Sequence, residues 1–348
     1  MDYEDLNRIR AIDSANLLSL LDRLPQDLSM GWQRPLDNFK PPASPDQIII
    51  YAVGEAAVAA ELAAAYLWPL SPLPIRVAPS CDLPEHLSPQ SLIIAAQDLH
   101  ASAEVRSVYD KAVKQALPSL AIAPEGSDLA QQAEDHHQPL WTFQAESSSI
   151  SQQVSSILRA ITVTLPDLPL DEQIDEAVKV LQAEQAAIRA ENLNAARNPA
   201  KRLAGQLMWR VPIIWGSGLL GPVAAYWKMQ INRMAKTRAY AEDLADLHYG
   251  GLNAIGQPND LFDSHRFQII HLSCSHDSPA IAQRQRRATR LYREQGMIVD
   301  RTKAAGEGRL AQQMSLVQIG AYVAFYLAIA YAVNPLDAPI TDLLATLE

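Results

Sequence analysis

Short apolar runs alternate with helical segments along this chain, and the alternation occurs twice. In the first half the runs are "DQIIIYAV", "LPIRVAP", "SLIIAA", "SLAIAP" and "PLWTFQ". Apolar runs spaced by helices are the signature of a parallel sheet covered on both faces. In the second half "RVPIIWGSG" and "FQIIHLSC" repeat the theme, followed by "SPAIAQRQRRATRLYREQG", whose arginines suit an exposed amphipathic helix ended by Gly296. A polar helix, entered through the proline-rich "LPDLPL", joins the halves. The pattern predicts an α/β chain of two doubly wound parallel-sheet subdomains in tandem. Residues 1–165 form the first with its leading helix, 166–200 the linker helix, and 201–348 the second.

Charge and cysteine usage exclude several classes. The formal charge is −10, and it is unevenly spread: residues 1–190 hold 26 acids against 12 bases, residues 191–348 hold 13 against 17. So acidic a chain argues against nucleic acid as a partner. Cys81 and Cys274 lie far apart, with no pattern for a disulfide framework or a zinc site, which points to reducing cytoplasm. The opening "MDYEDLNRIRAID" lacks the apolar core of a signal peptide. The apolar run Ile319 to Val333 has fifteen residues, short of the roughly 20 that span a bilayer. It reads as a buried core helix, and no membrane association is expected.

Two glycine turns follow strands and open helices. After Ile48 to Val53, Gly54 makes a tight turn into an alanine-rich helix, Ala56 to Leu67. This is the layout of a phosphate-binding strand–turn–helix, but it carries Glu55. A carboxylate there satisfies the helix's own unpaired N–H groups and repels an incoming phosphate. The second turn, "WGSGLLG" with Gly216, Ser217 and Gly218, has no acid nearby and is the better anion cradle, unless its glycines only allow close packing.

With these features in view, the chain resembles the bifunctional phosphoglucose/phosphomannose isomerases, which are built from two sugar-isomerase (SIS) domains. The residues that carry the resemblance run nearly end to end. They are the opening "IDSANLLSLLDRLPQDLSMGW", the strand and glycine turn at 48–67, "SLIIAA", "KMQINRMAK" and the ending "YAVNPLDAPITDLLATLE". The resemblance implies tandem SIS subdomains, each a flavodoxin-like three-layer sandwich, a sugar or sugar-phosphate ligand, a homodimer, and no cofactor or metal.

Carrying the family's working residues over position by position changes the expectation for activity. Its first phosphate turn, Gly-x-Gly-Gly-Ser, falls on Ala52 to Ala56, where only Gly54 survives. Its second loop, Ser-x-Ser-Gly-Asn-Thr-x-Glu, falls on Gln97 to Glu104, where Ser102 and Glu104 remain and Asp98 adds a carboxylate. The family's glutamate base aligns with Arg233, its ring-opening histidine with Tyr249, and the lysine on its last helix with Tyr326. An arginine stays protonated and cannot stand in for a carboxylate base. The expectation is therefore a non-catalytic binder or regulator.

The alternatives are a working sugar-phosphate isomerase with displaced residues, and a structural dimerisation module. His248, one residue from the histidine position, is the chief displaced candidate, with Ser102 and Glu104 kept from the second loop. His271, Ser273, His276 and Asp277 cluster in "HLSCSHDS" at a strand end. They read either as a displaced site or as strand-end residues satisfied by hydrogen bonds. His136 and His137 read as a polar loop. Eight bases without an acid lie between Glu191 and Glu242: Arg197, Lys201, Arg202, Arg210, Lys228, Arg233, Lys236 and Arg238. They read mainly as a solvated helical face, or else as the surroundings of a relocated anion. The apolar "LLGPVAAYW" and "AYVAFYLAIAYAV" are expected to supply dimer surface.

Overall fold

A computed structural model describes residues 5–36, 39–78, 82–100, 102–144, 149–192, 194–247, 249–254 and 264–338. Three helices lead, α1 (Leu6–Ile12), α2 (Leu17–Asp22) and α3 (Leu24–Gln33). The first sheet region then runs β1 (Ile48–Ala52), α4 (Gly54–Leu67), β2 (Ile75–Ala78), β3 (Leu92–Ala96), α5 (Ala103–Lys114), β4 (Ser119–Pro124), α6 (Asp128–Asp135), β5 (Leu140–Phe143) and α7 (Ile150–Thr164). Helix α8 (Asp171–Ile188) leads to α9 (Pro199–Leu207). The second region runs β6 (Val211–Gly216), α10 (Gly221–Ala235), β7 (Tyr240–Asp243), β8 (Phe267–Ser273), α11 (Pro279–Glu294), β9 (Ile298–Lys303) and α12 (Arg309–Ala330).

Both sheets are parallel and doubly wound. The first has the order β2-β1-β3-β4-β5 and the second β7-β6-β8-β9. Every residue of β1, β3 and β4 is buried, as continuous apolar runs require when helices cover both faces. On one face of the first sheet, Ile49, Tyr51 and Ile93 pack against Val108 and Ala112 of α5. On one face of the second, Trp215, Ile269 and Val299 pack against Ala288 and Tyr292 of α11.

The chain divides into two compact units, and the division differs from the linear one expected. One unit is Leu24–Val178; the other comprises the described parts of Met1–Arg23 and Lys179–Glu348. The first two helices therefore belong with the second sheet. The Tyr322 hydroxyl donates to Asp22 Oδ1, Gln185 Nε2 donates to the Asp22 carbonyl at 2.7 Å, and Asn334 Nδ2 donates to Ser14 Oγ at 3.0 Å. Contacts spanning 300 residues of sequence, as between Asp22 and Tyr322, leave no periodicity to read.

Helix α12 is the core of the second unit. Among the described residues it is the one helix long and apolar enough to cross a membrane, with a mean hydropathy of 1.5. It is longer than the apolar run suggested, because polar Gln312, Gln313, Ser315 and Gln318 are buried along it as well. All residues from Leu310 to Ile329 are buried inside the protein. Helices α10 and α12 approach closely at Gly320, where a side chain would lie 2.2 Å from Trp227 Nε1. The apolar stretches expected to supply dimer surface are thus largely spent on packing within the chain: Val223, Ala224, Tyr226 and Trp227 of α10 are buried too.

Candidate functional site

In an open α/β sheet, ligands bind beyond the carboxyl ends of the strands where the strand order reverses. The first unit has this point between β1 and β3. There the chain places Gly54 against Asp98, with Ser102 and Glu104 at the start of α5 after β3. Gly54 has φ +63° and begins α4, so the turn keeps the geometry of a phosphate cradle. The helix end is already occupied, however. Asp98 Oδ2 accepts the Glu55 N–H at 3.0 Å, and Asp98 Oδ1 accepts the His100 N–H at 2.8 Å.

This corrects the sequence reading of the turn. The carboxylate that takes up the Glu55 N–H comes from the neighbouring strand end, 43 residues on, while the Glu55 side chain is half-buried. Asp98 is only 8% exposed, and a side chain on Gly54 would lie 2.8 Å from its Oδ2. A buried carboxylate fixed by two backbone donors fills the place and supplies the charge that a phosphate would bring.

Ser102 and Glu104 are used locally. Ser102 caps α5, its hydroxyl accepting the Val105 N–H at 3.2 Å and donating to Glu104 Oε2 at 2.9 Å. The Glu104 carboxylate is held below its usual range by its own backbone amide and by that hydroxyl. Ser149 caps α7, its hydroxyl accepting the Gln152 N–H.

The second unit has its reversal between β6 and β8, where Gly216, Ser217 and Gly218 lead into α10. Gly216 is required by packing, since a side chain there would lie 2.1 Å from the Leu220 carbonyl oxygen. Gly218 has φ +54° with open space around it, and Ser217 is buried without capping the following turn. Gln313 Nε2 donates to the Leu219 carbonyl at 3.0 Å, tying the loop to α12. Among the described residues, no carboxylate closes this turn in the way Asp98 closes the first.

Beside it, the "HLSCSHDS" turn is held by hydrogen bonds. Asp277 accepts the Cys274 N–H at 3.1 Å, and the Arg301 guanidinium donates to Ser273 Oγ at 2.8 Å. Gln312 accepts the Ser275 N–H at 2.8 Å and donates to Ser275 Oγ at 2.7 Å and to the Gly306 carbonyl at 2.8 Å. His276 Nε2 lies 2.9 Å from the Glu307 carbonyl. These residues satisfy one another and the carbonyls of Gly306 and Glu307 in the turn before α12. Within this cluster, His271 keeps a buried ring nitrogen, Nε2, without a partner among the described residues. Burial, then the Arg301 charge, push its pKa down to about 4. Burial likewise pushes the Cys274 thiol up to about 12, leaving it unreactive.

The residues at the family's catalytic positions do not share one environment. Tyr326 is fully buried; its hydroxyl donates to the Ile188 carbonyl at 2.6 Å, and burial raises its pKa. Tyr249 is 88% exposed. Arg233 is exposed in the last turn of α10. His248 lies outside the described residues, as do Cys81 and the last ten residues of the tail. His136 Nε2 sits 3.5 Å from Asp110 Oδ1, beside its loop.

Among the eight bases, Lys201 departs from the solvated reading. It is fully buried, its ammonium donating to the carbonyls of Ala190 at 2.8 Å and Asn192 at 2.9 Å. It also lies 5.4 Å from the centre of the Tyr326 ring. Lys236 donates to the carbonyls of Arg233, Asn334 and Pro335, and Arg210 to those of Gln206 and His265. Spacing alone does not separate a lysine that ties backbone from one in water.

Comparison with known proteins places this geometry. Residues 196–346 match the bacterial phospho-glucose isomerase C-terminal SIS domain. The chain is 27% identical over 304 residues to a bifunctional phosphoglucose/phosphomannose isomerase of Caldicellulosiruptor bescii, covering 86% of this chain and 88% of that protein. Among solved structures it is similar to a glucose-6-phosphate isomerase like protein from Thermus thermophilus, with TM-score 0.63, 18% identity and 100% of each chain covered. It is also similar to the C-terminal domain of a glucosamine-fructose-6-phosphate aminotransferase from Francisella tularensis, with TM-score 0.69, 13% identity, 93% of this chain and 97% of that one. The last two likenesses carry the fold alone.

Proposed function

Because the chain belongs to the tandem-SIS family of bifunctional phosphoglucose/phosphomannose isomerases, we propose that it is a phosphosugar-isomerase-like protein whose aldose–ketose chemistry is lost and whose role is binding. One observation carries this reading: the Asp98 carboxylate bound to the Glu55 N–H at the β1–α4 turn, where a phosphate would be seated. Enediol chemistry also needs a base, a ring-opening acid and a stabilising cation or donor. Arg233 is no base, and Tyr326 has its hydroxyl committed to Ile188 inside the core. The same reading carries a cytoplasmic homodimer with a sugar-like ligand, no cofactor and no nucleic-acid partner. The test is a coupled assay for interconversion of fructose 6-phosphate with glucose 6-phosphate and mannose 6-phosphate. No turnover above the uncatalysed rate is expected, and robust turnover overturns the reading.

The second reading is a working isomerase with displaced residues. Its support is the likeness across 86% of the chain to a protein named for the bifunctional activity. It assigns the acid–base work to His248 and requires that turnover disappear in His248→Ala.

A further inference from the structure

The second unit contains a cavity of about 650 Å³ between α11 and the β8–β9 part of the sheet, well away in sequence from both glycine turns. Its volume is that of a small-molecule site. Arg286, Arg290 and Arg293 of α11 and Arg301 of β9 line it, with Glu294 and Asp300 as the acids. Arg290 is paired with Glu294 at 2.8 Å, and Asp300 is engaged by Gln268 Nε2 at 2.6 Å. Arg286 makes no hydrogen bond or ion pair with any described residue. The three helix arginines stand at i, i+4 and i+7, one stripe whose like-charge repulsion Glu294 only partly offsets, with Arg293 also donating to the Val299 carbonyl at 2.7 Å. A bound anion would remove that repulsion, and guanidinium forks match phosphate oxygens.

The cavity also contains a specific polar group. His271 lines it and is 5% exposed, and Gln285 beside it is 4% exposed. The Gln285 side chain adjoins the imidazole, and its Nε2 is turned towards Asp277 Oδ2 at 3.5 Å. His271 Nε2 has no partner among the described residues. A neutral imidazole that donates through Nδ1 presents a lone pair at Nε2. The cavity thus combines guanidinium donors with one buried acceptor.

We propose that this cavity is a second ligand site, for a phosphomonoester with a hydroxylated body. The arginine stripe takes the phosphate and His271 Nε2 accepts from a hydroxyl. The site is independent of the β1–α4 turn, so it stands whether that turn is open or closed.

Calorimetric titration of the full chain tests it, with inorganic phosphate and sorbitol 6-phosphate as probes at constant ionic strength in chloride. Sorbitol 6-phosphate has no carbonyl to isomerise. Both should bind, sorbitol 6-phosphate more tightly. Arg286→Gln, at an exposed position, should weaken both by about tenfold or more, while Arg202→Gln, an exposed charge outside the cavity, should change neither. His271→Phe should retain phosphate binding and lose the preference for sorbitol 6-phosphate. If His271→Phe fails to fold, the arginine variants still decide. No binding of either probe at millimolar concentration overturns the proposal, as does Arg286→Gln binding like wild type. An equal loss in Arg202→Gln, or equal wild-type affinity for the two probes, overturns it as well.

Discussion

Replacing Asp98 with serine should reopen the first glycine turn and destabilise the fold at the same time. Asp98 accepts two backbone N–H groups, from Glu55 at 3.0 Å and His100 at 2.8 Å. A hydrogen bond to a charged group contributes about 1.5–3 kcal/mol, and loss of a helix cap costs about 0.5–2 kcal/mol. The serine hydroxyl recovers part of one bond, so the net cost should be about 1–3 kcal/mol. For a unit near 150 residues this lowers Tm by roughly 2–4 °C per kcal/mol. The vacated helix end then has unpaired N–H groups, the positive end of the dipole and a new hydroxyl. Ligand at a hundredfold over its Kd stabilises by about 2.7 kcal/mol, comparable to the loss. In thermal melts with increasing fructose 6-phosphate, run in an Arg286→Gln background so that the α11 cavity does not respond, the chain with Asp98 should stay flat while Asp98→Ser starts lower and climbs. The reasoning fails if the chain with Asp98 climbs and Asp98→Ser goes flat, because the carboxylate would then support ligand binding rather than replace it.

Other consequences are more local. Burial raises the Glu184 carboxyl from 4.5 to about 7, so between those pH values the folded state retains a proton that the unfolded chain releases. Stability should therefore fall as pH rises through that window, by at most about 3 kcal/mol, and Glu184→Gln should flatten that limb of a Tm-versus-pH curve. Lys201→Met should cost about 2–4 kcal/mol in a denaturant titration, because the carbonyls of Ala190 and Asn192 lose their buried donor. Gly320→Ala should lower stability by about 1–3 kcal/mol by forcing α12 from Trp227, whose Nε1 donates to the Leu316 carbonyl at 2.8 Å, with a loss of near-UV tryptophan dichroism as a second readout.

What the sequence revealed follows from how far apart the interacting residues lie. Strands β1, β3, β4, β6 and β8 stand out because largely buried strands are written as apolar runs, and α12 because a core helix is apolar all round. Strands β7 and β9 do not: "YAED" and "IVDRTK" are edge strands with exposed charged positions, and they resemble loops. At the first turn, sequence placed both carboxylates but assigned the closure to Glu55, since local helix-capping logic cannot see a partner 43 residues away. Lys201 was grouped with solvated bases because its carbonyl partners come from a bend in the backbone rather than from a charge pattern. Tyr326 was placed at a catalytic position by alignment, but only the packing of α12 shows that its hydroxyl is sealed in the core.

The discontinuous second unit has a consequence for synthesis. Asp22 leaves the ribosome 300 residues before Tyr322, the residue whose hydroxyl it accepts. At about 5–20 residues per second, that interval is roughly 15–60 s. All of Leu24–Val178 emerges within it, with its five-stranded sheet complete and short-range in sequence. The first helices, by contrast, carry buried Ile9, Leu17 and Leu21, and the rest of the unit they belong to begins only at Lys179. Nascent chains of this protein should therefore hold a folded middle and an unsatisfied apolar leader together, which makes the leader the segment most exposed to chaperone capture during translation.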